Sequence, residues 1–258
     1  MSFDRAAAFY DRTRSLPPAT AAAQTSLLLG EVERAGGPVL EIGVGTGRIA
    51  LPLARAAAGA GARVAGIDVS AAMLARLREK DAAAVPVVCA DATRLPFAGH
   101  TFGVAIASHV LHLIPDWAAA VEELRRVLRP AGVLLVTRGR SRAGLEAEIA
   151  SRIRAEAGAP RGSPGLDDLH DLDRYLSRHG AGVEHLPPIA NPHQRSAEYY
   201  LAQLQDGVFS WIWDLSAEQR RTAVAAVREW LWRTHGDPAT VTLASPPVRW
   251  HRYRLGQP

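Results

Sequence analysis

The sequence predicts an α/β protein built on a doubly wound, mostly parallel β-sheet. Short apolar runs alternate with helical patterns along residues 39–137. These runs are apolar almost throughout, as is typical of strands that are buried on both faces of a sheet. Most of them also end at an acidic or polar residue. Strands separated by helices indicate a parallel sheet that is covered by helices on both faces.

The first strand and the turn after it, residues 39–47, form the most informative segment. An apolar run that contains Glu41 is followed by glycines at positions 43, 45 and 47 and then by a helical pattern. Such a turn lets a ligand lie against bare backbone at a helix N-terminus. The spacing differs from the G-x-G-x-x-G of dinucleotide enzymes, because Arg48 stands where the third glycine would be. The nearby carboxylate favours a ligand that carries an amine or another cation.

The second strand, residues 64–68, ends in Asp68 and leads into a helix that begins after Ser70. Serine is a favoured residue at the N-cap of a helix. In a doubly wound sheet, an acid at the carboxyl end of the second strand meets the ribose hydroxyls of a nucleotide-like ligand. We therefore expect Asp68 to contact a ribose.

Three further strands complete a five-stranded core. They are residues 85–90, followed by Asp91; residues 104–108, followed by His109; and residues 133–137, which follow a helix at 117–128 and a turn at 130–132. The single cysteine, Cys89, lies in the third of the five strands, and we expect it to be an inert, buried thiol.

Together these pieces resemble the class I S-adenosylmethionine-dependent methyltransferases. The resemblance covers about residues 36–140 in the order of the family: the glycine turn, the acids at 68 and 91, residues 95–97 and 110–112, and the R-V-L-R-P-A-G turn at 126–132. Ala131 departs from the family, which usually has a second glycine there, but this position serves the turn rather than the ligand. The resemblance implies a Rossmann-like, mostly parallel seven-stranded sheet and S-adenosyl-L-methionine as cofactor.

The resemblance also implies which residues contact the cofactor. Glu41 and the glycine turn should hold the methionine part, Asp68 the ribose diol, and Asp91 with the Ala92 amide the adenine. The leader segment at residues 9–14 should fold over the cofactor. The complete expected set is Tyr10, Arg14, Glu41, Gly43, Val44, Gly45, Gly47, Asp68, Val69, Met73, Asp91, Ala92 and Ser108.

His109 and His112 are the candidate catalytic residues, because they follow the fourth strand at the edge where acceptor and methyl group should meet. An imidazole there can take a proton from a hydroxyl or an amine. The alternative is that either histidine only hydrogen-bonds backbone in a helical turn. No third ligand of suitable spacing follows the pair, so the sequence predicts no metal site.

Beyond residue 137 the chain departs from the minimal core of the family. Helices are predicted at 142–157, 166–179, 196–205, 209–215 and 217–234, with strands near 183–186 and at 248–255, the latter exposed on one face. Ser216 and Gln219 have the spacing of a capping box. We expect one methyltransferase domain over 1–258, with a core at about 36–140, 166–190 and 246–256. An inserted helical cap, at about 141–160 and 196–235, would form a lid over the acceptor.

Composition narrows the classes of function. A chain of 258 residues with 48% hydrophobic content predicts one domain with a sizeable core, and no apolar run approaches the roughly 20 residues that span a bilayer. The net charge is +4, but basic and acidic residues are interspersed, which disfavours a nucleic-acid partner. We predict a cytoplasmic enzyme with a small-molecule acceptor. An RNA methyltransferase and a non-methyltransferase nucleotide-binding protein remain alternatives, and acceptor identity and oligomeric state stay open.

Overall fold

The computed structural model of the protein describes residues 3–138, 144–159 and 162–255. The chain divides into two compact units. The first comprises Met1–Gly139, Pro164–Ile189 and Val248–Pro258, and the second comprises Arg140–Ser163 and Ala190–Pro247. Among the helices in the described ranges, none combines the length and apolar character that a membrane crossing requires.

The first unit is built on a seven-stranded sheet. The strands of the chain are β1 Val39–Ile42, β2 Val64–Asp68, β3 Val87–Cys89, β4 Phe102–Ser108, β5 Leu128–Thr137, β6 Gly182–His185, β7 Gln194–Ser196, β8 Thr242–Ala244 and β9 His251–Arg254. The order in the sheet is β3-β2-β1-β4-β5-β9-β6. Strands β1 to β5 pair in parallel, and β9 is antiparallel to both of its neighbours. The predicted mostly parallel, seven-stranded α/β fold is confirmed.

Helices cover both faces of this sheet. The helices of the chain are α1 Tyr10–Arg14, α2 Pro18–Ala35, α3 Ala50–Ala57, α4 Ala71–Asp81, α5 Trp117–Val127, α6 Gly144–Glu156, α7 Leu169–Arg178, α8 Ala197–Gln205 and α9 Ala217–His235. Leu40 and Ile42 of β1 belong to the apolar cluster with α5 and α7, whereas Val39 belongs to the one with α2, α3 and α4. This alternation is why β1 and β4, buried at every position, have near-continuous apolar sequences.

The second unit has an apolar core of its own. Buried residues of α6, α8 and α9, such as Ile149, Leu201 and Val224, pack together, and β7 and β8 form a two-stranded antiparallel sheet. The capping box predicted at the start of α9 is confirmed, because Ser216 accepts from the Gln219 backbone and the Gln219 side chain accepts in return. The aromatic side chains of this unit divide by exposure: Tyr200, Phe209 and Trp213 are buried, whereas Tyr199 and Trp232 are exposed.

Several local predictions were wrong. Cys89 is exposed rather than buried, because β3 is the edge strand of the sheet. Only a single 3-10 turn, Ser210–Ile212, forms where a helix at 209–215 was predicted. His251, Arg252 and Tyr253 are all buried rather than alternating, because β9 lies inside the sheet between β5 and β6.

Some predicted boundaries fall outside the described residues. The helix expected from residue 142 is described only from Gly144, where α6 begins, and the boundaries predicted at 140–141, 160 and 256 also lie on residues that the structure does not describe.

Candidate active site

The carboxyl ends of β1, β2 and β4 open onto one cavity of the first unit. The cavity measures about 730 Å³, including the space at its mouth. Its walls come from the leader, the glycine turn, the ends of β2 and β4, and the residues after β3 and β4. In parallel sheets this edge is where ligands bind.

The glycine turn after β1 brings bare backbone to the cavity. Gly43, Gly45 and Gly47 have φ angles of 64°, 54° and 81°, a region that other L-residues rarely adopt. A Cβ on Gly43 would lie 2.4 Å from Cγ2 of Val110, and one on Gly47 would lie 2.8 Å from Cγ of Leu51. A Cβ on Gly45 would have no heavy-atom neighbour closer than 4.0 Å. Gly43 and Gly47 are thus also needed for packing, whereas Gly45 leaves open space.

Asp68 ties the end of β2 to the glycine turn. Its Oδ2 accepts the Gly45 N–H at 2.9 Å and its Oδ1 accepts the Ser70 N–H at 2.9 Å. Burial raises the pKa of Asp68, although these hydrogen bonds oppose the shift. The N-cap of α4 is Ser70, whose hydroxyl accepts the Met73 N–H at 3.2 Å. Each Asp68 oxygen can accept a second hydrogen bond, as a ribose diol would require.

Asp91 and Ala92 form the wall beyond β3. Oδ1 of Asp91 accepts both the N–H and the hydroxyl of Thr93, each at 2.9 Å. This is an Asx turn, which sets the direction of the carboxylate. Asp91 is exposed and Ala92 is buried, and both line the cavity. The cavity wall therefore has a second carboxylate in addition to Asp68.

Glu41 lies behind the glycine turn and does not line the cavity. Burial raises its pKa to about 8, against the opposing effects of Arg48 and of a hydrogen bond from the Ala50 backbone, where α3 begins. Its Oε2 is buried and has no hydrogen-bond partner among the residues that the structure describes. The geometry favours a role in holding the turn and the start of α3, rather than the direct ligand contact expected from the sequence.

The leader segment is fastened to the glycine turn and to α4. Oδ1 of Asp11 accepts the Thr46 hydroxyl at 2.6 Å, and Oδ2 forms an ion pair with Lys80 at 2.8 Å. Lys80 also donates to the Thr46 carbonyl at 2.7 Å. Burial raises the pKa of Asp11, but the hydrogen bonds from Lys80 and Thr46 outweigh it and hold the pKa below its usual value. These contacts hold Tyr10 in the cavity wall.

Ser108 and His109 reach the cavity at the end of β4. The Ser108 hydroxyl is buried and has no hydrogen-bond partner within the described part of the chain. His109 has a φ of 52°, which is uncommon for a residue other than glycine and is found at strained functional positions. Its N–H donates to the Thr137 carbonyl at 2.9 Å, which fixes this backbone against β5.

His112 lies elsewhere. It belongs to the 3-10 turn Leu111–Leu113, and its carbonyl accepts the Gly165 N–H at 3.0 Å. Its side chain lines a separate, smaller pocket with Leu166 and Leu169 and not the cavity described above. The structure therefore brings one of the two candidate histidines, His109, to the cavity.

Most of the residues expected from the sequence meet in this one cavity. Those that line it are Tyr10, Gly43, Gly45, Asp68, Val69, Met73, Asp91, Ala92, Ser108 and His109, and those that do not are Arg14, Glu41, Val44, Gly47 and His112. Sequence reasoning missed six lining residues: Phe3, Ile67, Ala90, Val110, Leu113 and Ile114. Five of these directly precede a strand-end acid or follow β4, a signal that could have found them. Phe3 has no such signal.

Comparisons with known proteins agree with this geometry. A family model described as "Methyltransferase domain" matches residues 40–136. A demethylmenaquinone methyltransferase of Mycobacterium sp. strain JLS is 40% identical over 101 residues, which are 39% of this chain and 41% of that protein. The biotin biosynthesis bifunctional protein BioHC of Cellvibrio japonicus is 36% identical over 135 residues, covering 51% of this chain and 25% of that protein.

The fold also has solved counterparts. The YcgJ protein of Bacillus subtilis superposes with a TM-score of 0.63 at 16% identity and covers 92% of this chain and 100% of its own. This likeness supports the fold alone. The chain spans about two fifths of the length of the demethylmenaquinone methyltransferases that it matches. Residues 40–136, which contain the glycine turn and the strand-end acids Asp68 and Asp91, are thus similar to a methyltransferase domain.

Proposed function

We propose that the protein is an S-adenosylmethionine-dependent methyltransferase that acts on a small molecule. The observation that carries this proposal is the convergence on one cavity of Gly45, Asp68, Asp91 and His109, each at or just beyond the carboxyl end of a different strand. The match to the methyltransferase family supports the same activity. The cytoplasmic location predicted from the sequence belongs to the same proposal.

The residues at the cavity fit the cofactor chemically. Asp68 offers acceptors for a diol, and Asp91 offers one for an amino group. Two carboxylates in the wall complement a positively charged sulfur. The bare backbone at Gly45 allows close approach of a ligand.

The proposed chemistry rests on positioning. The cofactor, when bound, supplies a methyl group that is already activated by its sulfonium. Met73, Val110, Leu113 and Ile114 give the cavity apolar walls, which would limit the access of water to the reacting groups. Aligning acceptor and methyl group in this way can supply up to roughly 7–11 kcal/mol of the barrier. His109 stands in the wall, where its imidazole would accept a proton from an acceptor hydroxyl or amine.

An acceptor screen tests the activity. The purified protein is incubated with S-adenosylmethionine that carries a radiolabelled methyl group and with panels of small-molecule hydroxyl, amine and carbon acceptors. We expect transfer to a member of one class. The named relatives favour small molecules, since those proteins are demethylmenaquinone methyltransferases. Transfer to bulk tRNA, with no transfer to any small molecule, would contradict the proposal.

An RNA acceptor is the second candidate, favoured by the sequence pI of about 9.7. Binding through phosphate contacts weakens steeply with salt. We expect gel-shift titrations with tRNA at about 50 and 200 mM salt to show only weak association, without a preference for the cofactor-bound protein. Tight, salt-sensitive binding that increases with cofactor would favour the RNA alternative.

His109 has a prediction of its own once an acceptor is identified. His109→Asn keeps a side chain that tolerates positive φ but removes the base. We expect kcat to fall about 10²–10⁴-fold with unchanged cofactor affinity, whereas the control His112→Asn should retain most of the activity. If both variants turn over at the wild-type rate, no protein base acts at His109.

The cap stays a proposal. The second unit enters the sequence after β5 and after β6, and its exposed Tyr199 and Trp232 are apolar surfaces that a lid could offer to an acceptor. Hydrogen exchange tests this idea. We expect the backbone amides of α8 and α9 to exchange more slowly when S-adenosylhomocysteine and an acceptor are both bound. Unchanged exchange would exclude a lid.

A further inference from the structure

A second cluster of chemically active side chains lies in the first unit, outside the cavity. It consists of Asp173 on α7, His185 at the end of β6 and His251 at the start of β9. Nδ1 of His251 lies 3.1 Å from Oδ1 of Asp173, and Nε2 of His185 lies 3.2 Å from Oδ2. One ligand atom from each of the three residues lies within 4.8 Å of the other two.

The fold places these residues together. His185 and His251 are direct partners in the antiparallel pairing of β6 with β9, and their rings stack with centroids 4.2 Å apart. Asp173 lies on the helix that precedes β6. The Tyr253 hydroxyl donates to Oδ1 of Asp173 at 2.7 Å and so orients the carboxylate. Hydrogen bonds of this kind usually orient metal ligands.

The distances suit a small divalent ion. Zn²⁺ binds imidazole nitrogen and carboxylate oxygen at about 2.0–2.2 Å in tetrahedral geometry, which separates neighbouring ligand atoms by about 3.3–3.5 Å. The two nitrogen–oxygen distances in the cluster, 3.1 and 3.2 Å, run to the two different oxygens of Asp173, and one ligand atom from each residue lies within 4.8 Å of the others, so the side chains must adjust to reach these separations. Two nitrogen ligands favour Zn²⁺ over Mg²⁺ or Ca²⁺, which prefer oxygen.

A fourth ligand is within reach. Nδ1 of His170, one turn before Asp173 on α7, lies 3.7 Å from Oδ2 of Asp173, and its side chain is 77% exposed. The cluster is therefore partly open: the side chains of Asp173 and His251 are 16% and 10% exposed, whereas that of His185 is 59% exposed. An ion can enter from the side of His185 and His170.

We propose that Asp173, His185 and His251 form a Zn²⁺ site, with His170 able to supply the fourth ligand. The ion joins α7, β6 and β9. These last two strands flank the long insertion of the second unit, residues 190–247, in the sequence. The chain leaves the first unit after β6 and returns to it before β9. The site thus holds these two strands together. The three ligands escape sequence reasoning because His185 and His251 follow Asp173 by 12 and 78 residues.

The competing arrangement is a metal-free cluster in which both imidazoles donate hydrogen bonds to the carboxylate of Asp173.

Calorimetric titration of the chelator-treated full chain with ZnCl₂ tests the proposal. We expect one strong site per chain and a rise in Tm on binding. His185→Gln should weaken Zn²⁺ binding at least ten-fold while folding normally, since this side chain is largely exposed. The control His193→Gln, which changes an exposed histidine outside the cluster, should bind Zn²⁺ like the wild type.

A second readout keeps the test independent of stability. Co²⁺ in a tetrahedral site of nitrogen and oxygen ligands absorbs visible light strongly, and we expect this band in the wild type and in His193→Gln but not in His185→Gln. Binding of S-adenosylhomocysteine should be the same in all three proteins. Equal Zn²⁺ affinity in wild type and His185→Gln, or a loss shared with His193→Gln, would leave only surface binding and overturn the proposal.

Discussion

Glu41 brings a carboxyl group into the interior, where burial raises its pKa to about 8. The folded protein therefore keeps a proton that the unfolded chain, with a pKa near 4.5, releases at lower pH. The stability that this proton contributes is complete below about pH 4.5 and is lost as the pH rises through about 8. This change of stability with pH is opposite in sign to that caused by a carboxylate whose pKa is lowered by an ion pair.

The pH dependence of stability that Glu41 causes can be measured with Glu41→Gln. Glutamine is nearly isosteric and does not titrate, so the free energy of unfolding should decrease less between about pH 5 and pH 9 than in the wild type. Urea unfolding of the cofactor-free protein at several pH values gives the two slopes. Glu79→Gln, which changes an exposed side chain, should keep the wild-type slope. Identical slopes for Glu41→Gln and the wild type would show that Glu41 is ionised in the folded state.

Asp68 should contribute both to cofactor binding and to the stability of the glycine turn. Asp68→Ala would remove the charge-assisted hydrogen bonds that we propose to the ribose, and we expect S-adenosylhomocysteine to bind about 1.5–3 kcal/mol more weakly. Stability should also decrease, because the N–H groups of Gly45 and Ser70 lose their acceptor. Isothermal titration calorimetry and thermal unfolding measure the two effects.

A matched control separates these effects. Asp116 also accepts a backbone N–H, that of Ala119, at the start of α5, but it does not line the cavity. Asp116→Ala should destabilise the protein and leave cofactor affinity unchanged. Unchanged affinity in Asp68→Ala as well would mean that the ribose is bound by other residues.

The sequence predicts some of these residues better than others. Asp68 and Asp91 could be placed because acids at the ends of parallel strands meet at one edge of a sheet. Glu41 is harder to place from the sequence. Strand alternation puts Glu41 on the same face as Val39, which packs toward α2, α3 and α4. The distance of Glu41 from the cavity depends on the path of the glycine turn. No local sequence pattern indicates that path.

Among the elements, the glycine turn should tolerate substitution poorly at Gly43. Gly43→Ala places a Cβ against Val110 at a φ of 64°. We expect a loss of about 1–3 kcal/mol in unfolding free energy, together with weaker cofactor binding. Gly59→Ala has no heavy atom within 4 Å of its Cβ and should be close to neutral. Equal stability of the two variants, measured by urea unfolding, would show that the turn rearranges easily.

The leader segment should act mainly on binding. Asp11→Ala removes the contacts with Thr46 and Lys80, and such partly exposed pairs contribute about 0–1 kcal/mol to stability. Affinity for S-adenosylhomocysteine should nevertheless decrease several-fold, because Tyr10, next to Asp11 in the chain, loses its anchor at the cavity wall. Arg12→Ala, an exposed change in the same helix, is the calorimetric control. If Asp11→Ala binds like the control, the leader does not cover the ligand.

The elements themselves differ in how well the sequence predicts them. Strands β1, β2, β4 and β5 stand out because burial on both faces requires apolar side chains. Strand β9 reads as half exposed because it contains His251 and Arg252, yet both are buried with partners: Asp173 for the histidine, and Glu31 and Glu184 for the arginine. The three-residue strands β7 and β8 are too short and polar to show a pattern.

At the scale of the whole molecule, the repeating strand–helix order of the first unit is the part that sequence predicts, since one physical rule covers each repeat. The second unit has no such repeat. Its helices α8 and α9 could be located from capping residues Ser196 and Ser216. The surface that the second unit offers to an acceptor depends on long-range packing. The acceptor therefore cannot be read from either the sequence or the matched family.

We propose above that the cavity at the carboxyl edge of the sheet binds S-adenosylmethionine. Calorimetric titration of the wild-type protein with S-adenosylmethionine, S-adenosylhomocysteine and NAD tests it most directly. We expect one site per chain with micromolar-order affinity for the two sulfur ligands, weakened by Asp68→Ala, and no binding of NAD. Binding of NAD without binding of either sulfur ligand would contradict it.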